Sequence, residues 1–209
     1  MSDKLTDRSC ADFAEALASK APVPGGGGAA ALTGALSAAL CSMVGNFTTG
    51  KKKYAAYEED IQRILEKAGA LRLQLLELID ADAAAFEPLS RAYAIPKDDP
   101  KRSGQLEKAT LGACRAPIEM VKCCGEIVPL LEELAEKGSV LLVSDVGCGS
   151  LLCAAAMEAA AMNVFINTGT LQARQEALRM EEEVNGILAS CLPRARAAAD
   201  AVWDRIKKE

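Results

Sequence analysis

From Tyr54 to about Tyr93, apolar residues recur at positions 61, 64, 68, 71, 75 and 78, stepping by three and four. A helix with one face turned to a core repeats in that way, so the spacing predicts a long amphipathic helix. Glu66, Glu77, Asp80, Glu87 and Arg91 fall on its wetted side. Ser103 to about Lys137 carries Leu106, Ala109, Ala113, Met120, Cys124, Ile127, Leu131 and Leu134 on one face. Pro117 and Pro129 are expected to kink or divide that stretch, and Gly138 to close it. A short first helix is expected after Ser9, whose spacing to Asp12 resembles a capping box. Phe13 and Leu17 form its apolar edge, and Pro22 and Pro24 stop it. The last helix is expected to begin at Thr170, to be interrupted at Pro193 and to end in a charged amphipathic turn over 203–209.

The run from Ala29 to Gly50 has another pattern: no charge, mostly Ala, Gly, Ser and Thr, with larger members at Leu32, Leu36, Leu40, Met43, Val44 and Phe47. Its spacing is helical. Small side chains nearly all round let neighbouring backbones come close, which predicts a buried central helix. The run is also long enough to span a membrane and is capped by Lys51, Lys52 and Lys53, but Ala, Ser, Thr and Gly gain too little on transfer to lipid. No membrane association is expected. Leu151 to Ile166 reads as a second Ala-rich buried helix. With no repeat and no linker, residues 1–209 read as one all-α domain, an up-down helical bundle with long amphipathic helices.

Continuing the stripe past 78 leads to 82, then 85 or 86, then 89. Ala85, Phe86 and Leu89 obey it; Asp82 does not. A carboxylate on a core-facing position loses solvation, so Asp82 either caps or pairs with a neighbouring helix, or serves as a general base or cation anchor in a cleft. Pro22-Val-Pro-Gly-Gly-Gly-Gly28 can present bare N–H groups at the start of the central helix, an anion site, or be a plain loop. It is not a P-loop, for no Gly-Lys-Ser/Thr follows and no strand precedes. The run from Val140 into Asp145-x-Gly-x-Gly149 looks like the nucleotide loop of methyltransferases that use S-adenosylmethionine, but Leu151 holds the third glycine's place and no strand–helix alternation follows. The other reading is a loop whose Ser144 or Asp145 caps the next helix, with glycines allowing close packing. Asn163 and Asn167, four apart on one helix face, could read a flat heterocycle or tie helices together.

Charge and rare residues narrow the chemistry. Lys and Arg number 24 against 29 Asp and Glu, a net charge of −5, which leaves no basic footprint for nucleic acid. Histidine is absent and no Cys-x-x-Cys pair occurs among the 8 cysteines, so no metal site is expected. Acid–base work then falls to carboxylates, lysine, tyrosine or a thiol. The start, Met-Ser-Asp-Lys-Leu-Thr-Asp-Arg, has no apolar signal core, which points to the cytoplasm and to reduced thiols.

Taken in order, Pro-Gly-Gly-Gly before a small-residue helix ending in Met43-Val44, Lys51-Lys-x-Tyr54, Asp82-x-x-Ala85-Phe86, Ile95-Pro96-Lys97, Arg102, Ala116-Pro117, Ser144-Asp145-Val-Gly147 and Asn163-Val-x-Ile-Asn167 resemble the cyclodeaminase/cyclohydrolase family of folate enzymes. The resemblance covers almost the whole chain. It implies an all-helical cyclodeaminase-like fold, a homodimer with sites near the subunit interface, and one-carbon chemistry on a tetrahydrofolate substrate with no further cofactor. Members hydrolyse 5,10-methenyltetrahydrofolate to 10-formyltetrahydrofolate, or deaminate and cyclise 5-formiminotetrahydrofolate. Two departures stand out: alanines follow the four glycines where many relatives place a serine, and Glu107 stands where many carry glutamine. The vertebrate-type deaminase is fused to a formiminotransferase, for which 209 residues leave no room; this favours the cyclohydrolase over the deaminase. A folate-binding helical dimer without catalysis is the alternative of another class.

On that chemistry, Asp82 is expected to be the base or to hold the substrate cation, with Asp145 in reserve and Lys52 or Tyr54 supplying a proton. Gly25, Gly26, Gly27 and Gly28 at the helix start, with Lys97 and Arg102, are expected to meet the glutamate carboxylates of the folate tail. Asn163 and Asn167 are expected to face the pterin amide edge.

Overall fold

Ser9 caps the first helix as its spacing required, its hydroxyl accepting the Asp12 N–H at 3.1 Å. In the computed structural model, which describes residues 4–207, that helix (α1) spans Cys10–Ala18. There follow α2 (Gly26–Asn46), α3 (Glu58–Ala94), α4 (Arg102–Lys137), α5 (Val143–Thr168) and α6 (Arg174–Lys207), with no strand among the described residues. Lys52–Tyr57 and Val140–Leu142 are short 3₁₀ segments leading into α3 and α5.

Cross-helix contacts set the directions. Gly27, Gly34 and Gly45 of α2 face Asp82, Leu75 and Leu65 of α3, so those helices are antiparallel. Gly26 faces Asn163, and the Ser37 hydroxyl donates to the Gly149 carbonyl at 2.8 Å, so α2 and α5 are antiparallel too. Helices α2, α4 and α6 run one way and α3 and α5 the other, the up-down bundle expected. The α2 helix lies between α3 and α5 and buries Ala30, Ala31, Gly34, Ala35, Ser37, Ala38, Cys41 and Val44. Around it Ile61, Ile64, Leu75, Met120, Ile127, Leu131, Leu134 and Met157 are fully buried. The stripe on α3 slips by one residue near its end, burying Ile79 rather than Leu78.

Several boundaries differ from expectation. Helix α2 starts at Gly26, so three of the four glycines form its first turn. Helix α5 begins at Val143, capped by no side chain, so Ser144 and Asp145 sit inside its first turn instead of capping it. The Asp-x-Gly-x-Gly segment is therefore helical, with no nucleotide loop. Its glycines do serve close packing: a Cβ on Gly147 would lie 2.8 Å from Val202.

No proline divides a helix. Pro88, Pro117, Pro129 and Pro193 all sit inside continuous helices. Each removes the N–H that would bond the carbonyl four residues earlier, and the fold answers each one. The Ala113 carbonyl freed by Pro117 takes a long bond from the Asn167 amide, 3.5 Å. The Gly125 carbonyl freed by Pro129 faces the Cys191 thiol, 3.8 Å away. Ala84 and Ala189, behind Pro88 and Pro193, are exposed to water.

Helices α2 and α5 are long and apolar enough to cross a membrane by length and composition, yet both are central packing elements of the bundle. Their close approach predicts a cost for added bulk. A Cβ on Gly149 would lie 2.9 Å from Leu131 Cδ2, itself fully buried. Gly149→Ala is expected to lower stability by about 1–3 kcal/mol, read as a lower urea midpoint at unchanged slope.

Candidate active site

Asp82 reaches across from α3 to the glycine start of α2. It is half-buried, and a Cβ on Gly27 would stand 2.5 Å from both of its carboxylate oxygens, so only glycine leaves room for it there. The Gly28 N–H donates to it. Burial raises the Asp82 pKa above the ordinary carboxylate value, while the Gly28 hydrogen bond pulls it partly back. The helix start thus serves an internal carboxylate: Gly27 and Gly28 are buried and turned to Asp82 where the folate tail was expected, whereas Gly26 is exposed and Gly25 is the N-cap residue.

Asn163 of α5 completes this corner. Its amide nitrogen donates to the Ala159 carbonyl at 2.8 Å, and its side chain lies 3.5 Å from where a Gly26 Cβ would be. The amide oxygen remains to accept a bond from a ligand. Asn167, one turn on, is occupied at the Ala113 carbonyl, a helix-tying role.

Lys52, Tyr54 and Asp145 lie elsewhere. The Tyr54 hydroxyl accepts the Val140 N–H at 3.2 Å, ahead of α5, and Thr48 at the end of α2 accepts the Ser139 N–H at 2.8 Å. Asp145 is in the first turn of α5, so all three stand at the end of the bundle where α2 finishes. Helix α2 is 21 residues long, about 30 Å, and Asp82 is at its other end. One chain therefore does not bring the expected base and proton donors together. Local helical periods carry no information on which end of a bundle a residue occupies. The Tyr54 pKa is lowered, chiefly by the Val140 N–H, with help from Ser139 and Lys53.

Lys97 and Arg102 border a cavity of about 490 Å³ beside the turn between α3 and α4. Asp98, Asp99 and Glu107 share that cavity, and the Arg102 Nε is bound to the Ile95 carbonyl at 2.9 Å. Such a balance suits a polyanionic tail poorly. Glu107 accepts the N–H groups of Gln172 and Ala173 at 2.9 and 2.8 Å, fastening the start of α6 to α4. Two roles escaped sequence reasoning. Nothing local marked Glu107 as a cap for a helix 65 residues away. Phe86 obeyed the apolar stripe yet is 37 % exposed, because α3 runs on beyond the start of α2.

Residues 9–186 match the model of a family described as formiminotransferase-cyclodeaminase. Among curated proteins, the chain is 39% identical over 201 residues to the methenyltetrahydrofolate cyclohydrolase of Methylorubrum extorquens, covering 94% of this chain and 95% of that one. It is 32% identical over 167 residues to the formimidoyltransferase-cyclodeaminase of Mus musculus, covering 78% of this chain but 31% of that longer protein. A crystal structure of formiminotetrahydrofolate cyclodeaminase from Thermotoga maritima superimposes with a TM-score of 0.82 at 31% identity, covering 93% of this chain and 97% of that one.

The contact between Asp82 and Gly27 generates a pH prediction. A carboxyl whose folded pKa is raised favours the folded state while protonated, and that advantage is lost as pH rises from the unfolded to the folded pKa. Measured against Asp82→Asn across pH 3.5 to 8 by urea unfolding, the wild type is expected to lose ground steadily and then level off above the raised pKa. A constant difference would contradict the burial.

Proposed function

The chain belongs to the formiminotransferase-cyclodeaminase family, and we propose that it hydrolyses 5,10-methenyltetrahydrofolate to 10-formyltetrahydrofolate. The observation that carries the chemistry is the half-buried Asp82, its carboxyl raised in pKa at the glycine start of α2. The methenyl carbon lies between two nitrogens in a delocalised cation and is already electrophilic. Asp82 removes a proton from water as its oxygen bonds to that carbon. The tetrahedral adduct then opens: the bond to N5 breaks as N5 takes a proton, and the formyl group stays on N10. One water is consumed and one proton released. A carboxylate raised in pKa is a stronger base than an exposed one, and the incoming cation offsets its buried charge. In this reading the amide oxygen of Asn163 accepts from the pterin edge. The greater identity to the cyclohydrolase supports hydrolysis over deamination. The Thermotoga structure, named as a deaminase and matched over 97% of its chain, supports deamination as the second reading.

The enzyme is proposed to be a water-soluble homodimer, with Tyr54 and Lys52 of one protomer serving the Asp82 of the other. The outward side of α2 and α5 is apolar: Leu36, Met43 and Phe47 on one helix, Leu151, Met162 and Ile166 on the other, with Ile166 71% exposed. No charged residue occurs in α2. Two copies meeting face to face about a two-fold axis across these helices would set each Asp82 end against the partner's Tyr54 end. The face, two helices wide and about 30 Å long, offers about 600 Å² a side, the lower range of specific interfaces.

Following the near-ultraviolet absorbance of methenyltetrahydrofolate tests the reaction: wild type is expected to speed its loss over buffer, and Asp82→Asn to lower kcat about 100-fold or more. No acceleration, with turnover of formiminotetrahydrofolate instead, would establish deamination. Tight folate binding with neither reaction would leave a binding module. Mixing inactive Asp82→Asn with an impaired Tyr54→Phe variant tests the shared site. Random exchange makes half the dimers mixed, each with one intact site, so activity should recover to about a quarter of wild type. No recovery after exchange would place both groups' work within one subunit.

A further inference from the structure

A cavity of about 700 Å³ opens between the N-terminal segment and α3, one turn from Asp82. Phe86 forms one wall, and Pro22 and Val23, leading into the glycine turn, form another. Phe86 follows Asp82 by four positions on α3, so the two side chains share one side of that helix. Lys4, Arg8 and Arg91 stand at the rim with Asp80 and Glu87. The two carboxylates are already engaged. Asp80 accepts from the Leu5 N–H at 2.8 Å and the Thr6 hydroxyl at 3.3 Å, and Glu87 pairs with Arg91 at 3.1 Å. Among the described residues Lys4 and Arg8 meet no carboxylate within ion-pair distance. The cavity thus presents a flat apolar wall beside the reacting corner and a cationic rim farther out. The cavity at Lys97 differs on both counts, with three carboxylates at its edge and its arginine held by a backbone carbonyl.

We propose that this cavity binds a planar benzamide bearing carboxylates, its ring against Phe86 and its carboxylates at Arg8 and Lys4. Resting on the folate reading above, that ligand is the benzoyl-glutamate arm of the substrate, which leaves the Asp82 corner beneath the N-terminal segment and not past Lys97. Stacking of a ring on Phe86 and a charge-assisted bond to the Arg8 guanidinium supply specificity for the arm without touching the reacting carbon.

Titration calorimetry of the wild-type protein with N-(4-aminobenzoyl)-L-glutamate, a probe that lacks the pterin, reads this site without turnover. Binding is expected, weakened tenfold or more by Arg8→Glu and by Phe86→Leu and retained by Phe86→Tyr. Arg8 is exposed, so its variant keeps the test open if a Phe86 variant fails to fold. No binding by the wild type up to 10 mM, binding unaltered by Arg8→Glu, or a loss confined to Lys97→Glu would overturn the proposal. Probe binding without turnover of either folate would sink the catalytic reading alone; turnover with the arm unaffected by Arg8→Glu would sink the cavity alone.

Discussion

Helix α2 buries Ala30, Ala31, Gly34, Ala35, Ser37, Ala38 and Gly45, so its neighbours pack almost directly on its backbone. Cβ atoms added at Gly34 and Gly45 would press on Cys124, Leu75 and Leu65 at 2.8–3.3 Å. This closeness is the constraint from which the site follows. Because the first turn of α2 has no side chains, the Asp82 carboxylate can reach the Gly28 N–H, where the helix dipole tempers a burial that would otherwise be costly. The larger side chains of α2 are kept for its outer side, where Leu36, Met43 and Phe47 are exposed.

Much of this was legible in the chain's own pattern. The three-and-four stripe on α3 located the helix, and its break at Asp82 located the half-buried carboxylate before any neighbour was known. What could not be read was which distant group would answer a local defect. Pro117 and Pro129 looked like breaks because the partners that relieve them, Asn167 and Cys191, come from 50 and more residues away. Asn167 looked like a ligand for a similar reason. Tyr54 and Asp82 belonged to one expected site but stand at opposite ends of α2, a separation that depends on how helices alternate.

The cysteines read as small hydrophobes, and most are. Cys41, Cys114, Cys123, Cys124 and Cys153 are buried, and the Cys153 thiol donates to the Cys124 carbonyl at 3.2 Å. Burial pushes the Cys114 thiol up to about 11 and Cys41 still further. Such thiols hold almost no thiolate at neutral pH, which leaves carboxyl, phenol and ammonium groups for acid–base work in a chain without histidine.

The bond between the Ser37 hydroxyl and the Gly149 carbonyl joins residues 112 positions apart. Helices α2 and α3 can pair as soon as both have emerged from the ribosome, but α5 is made some fifty residues after α3 ends. At a synthesis rate of about 5–20 residues per second, the uncharged α2 helix waits several seconds without its cover. The sparing side chains that make the finished bundle tight therefore also make its nascent form sticky, and the chain's exposure to misassembly is greatest in that interval.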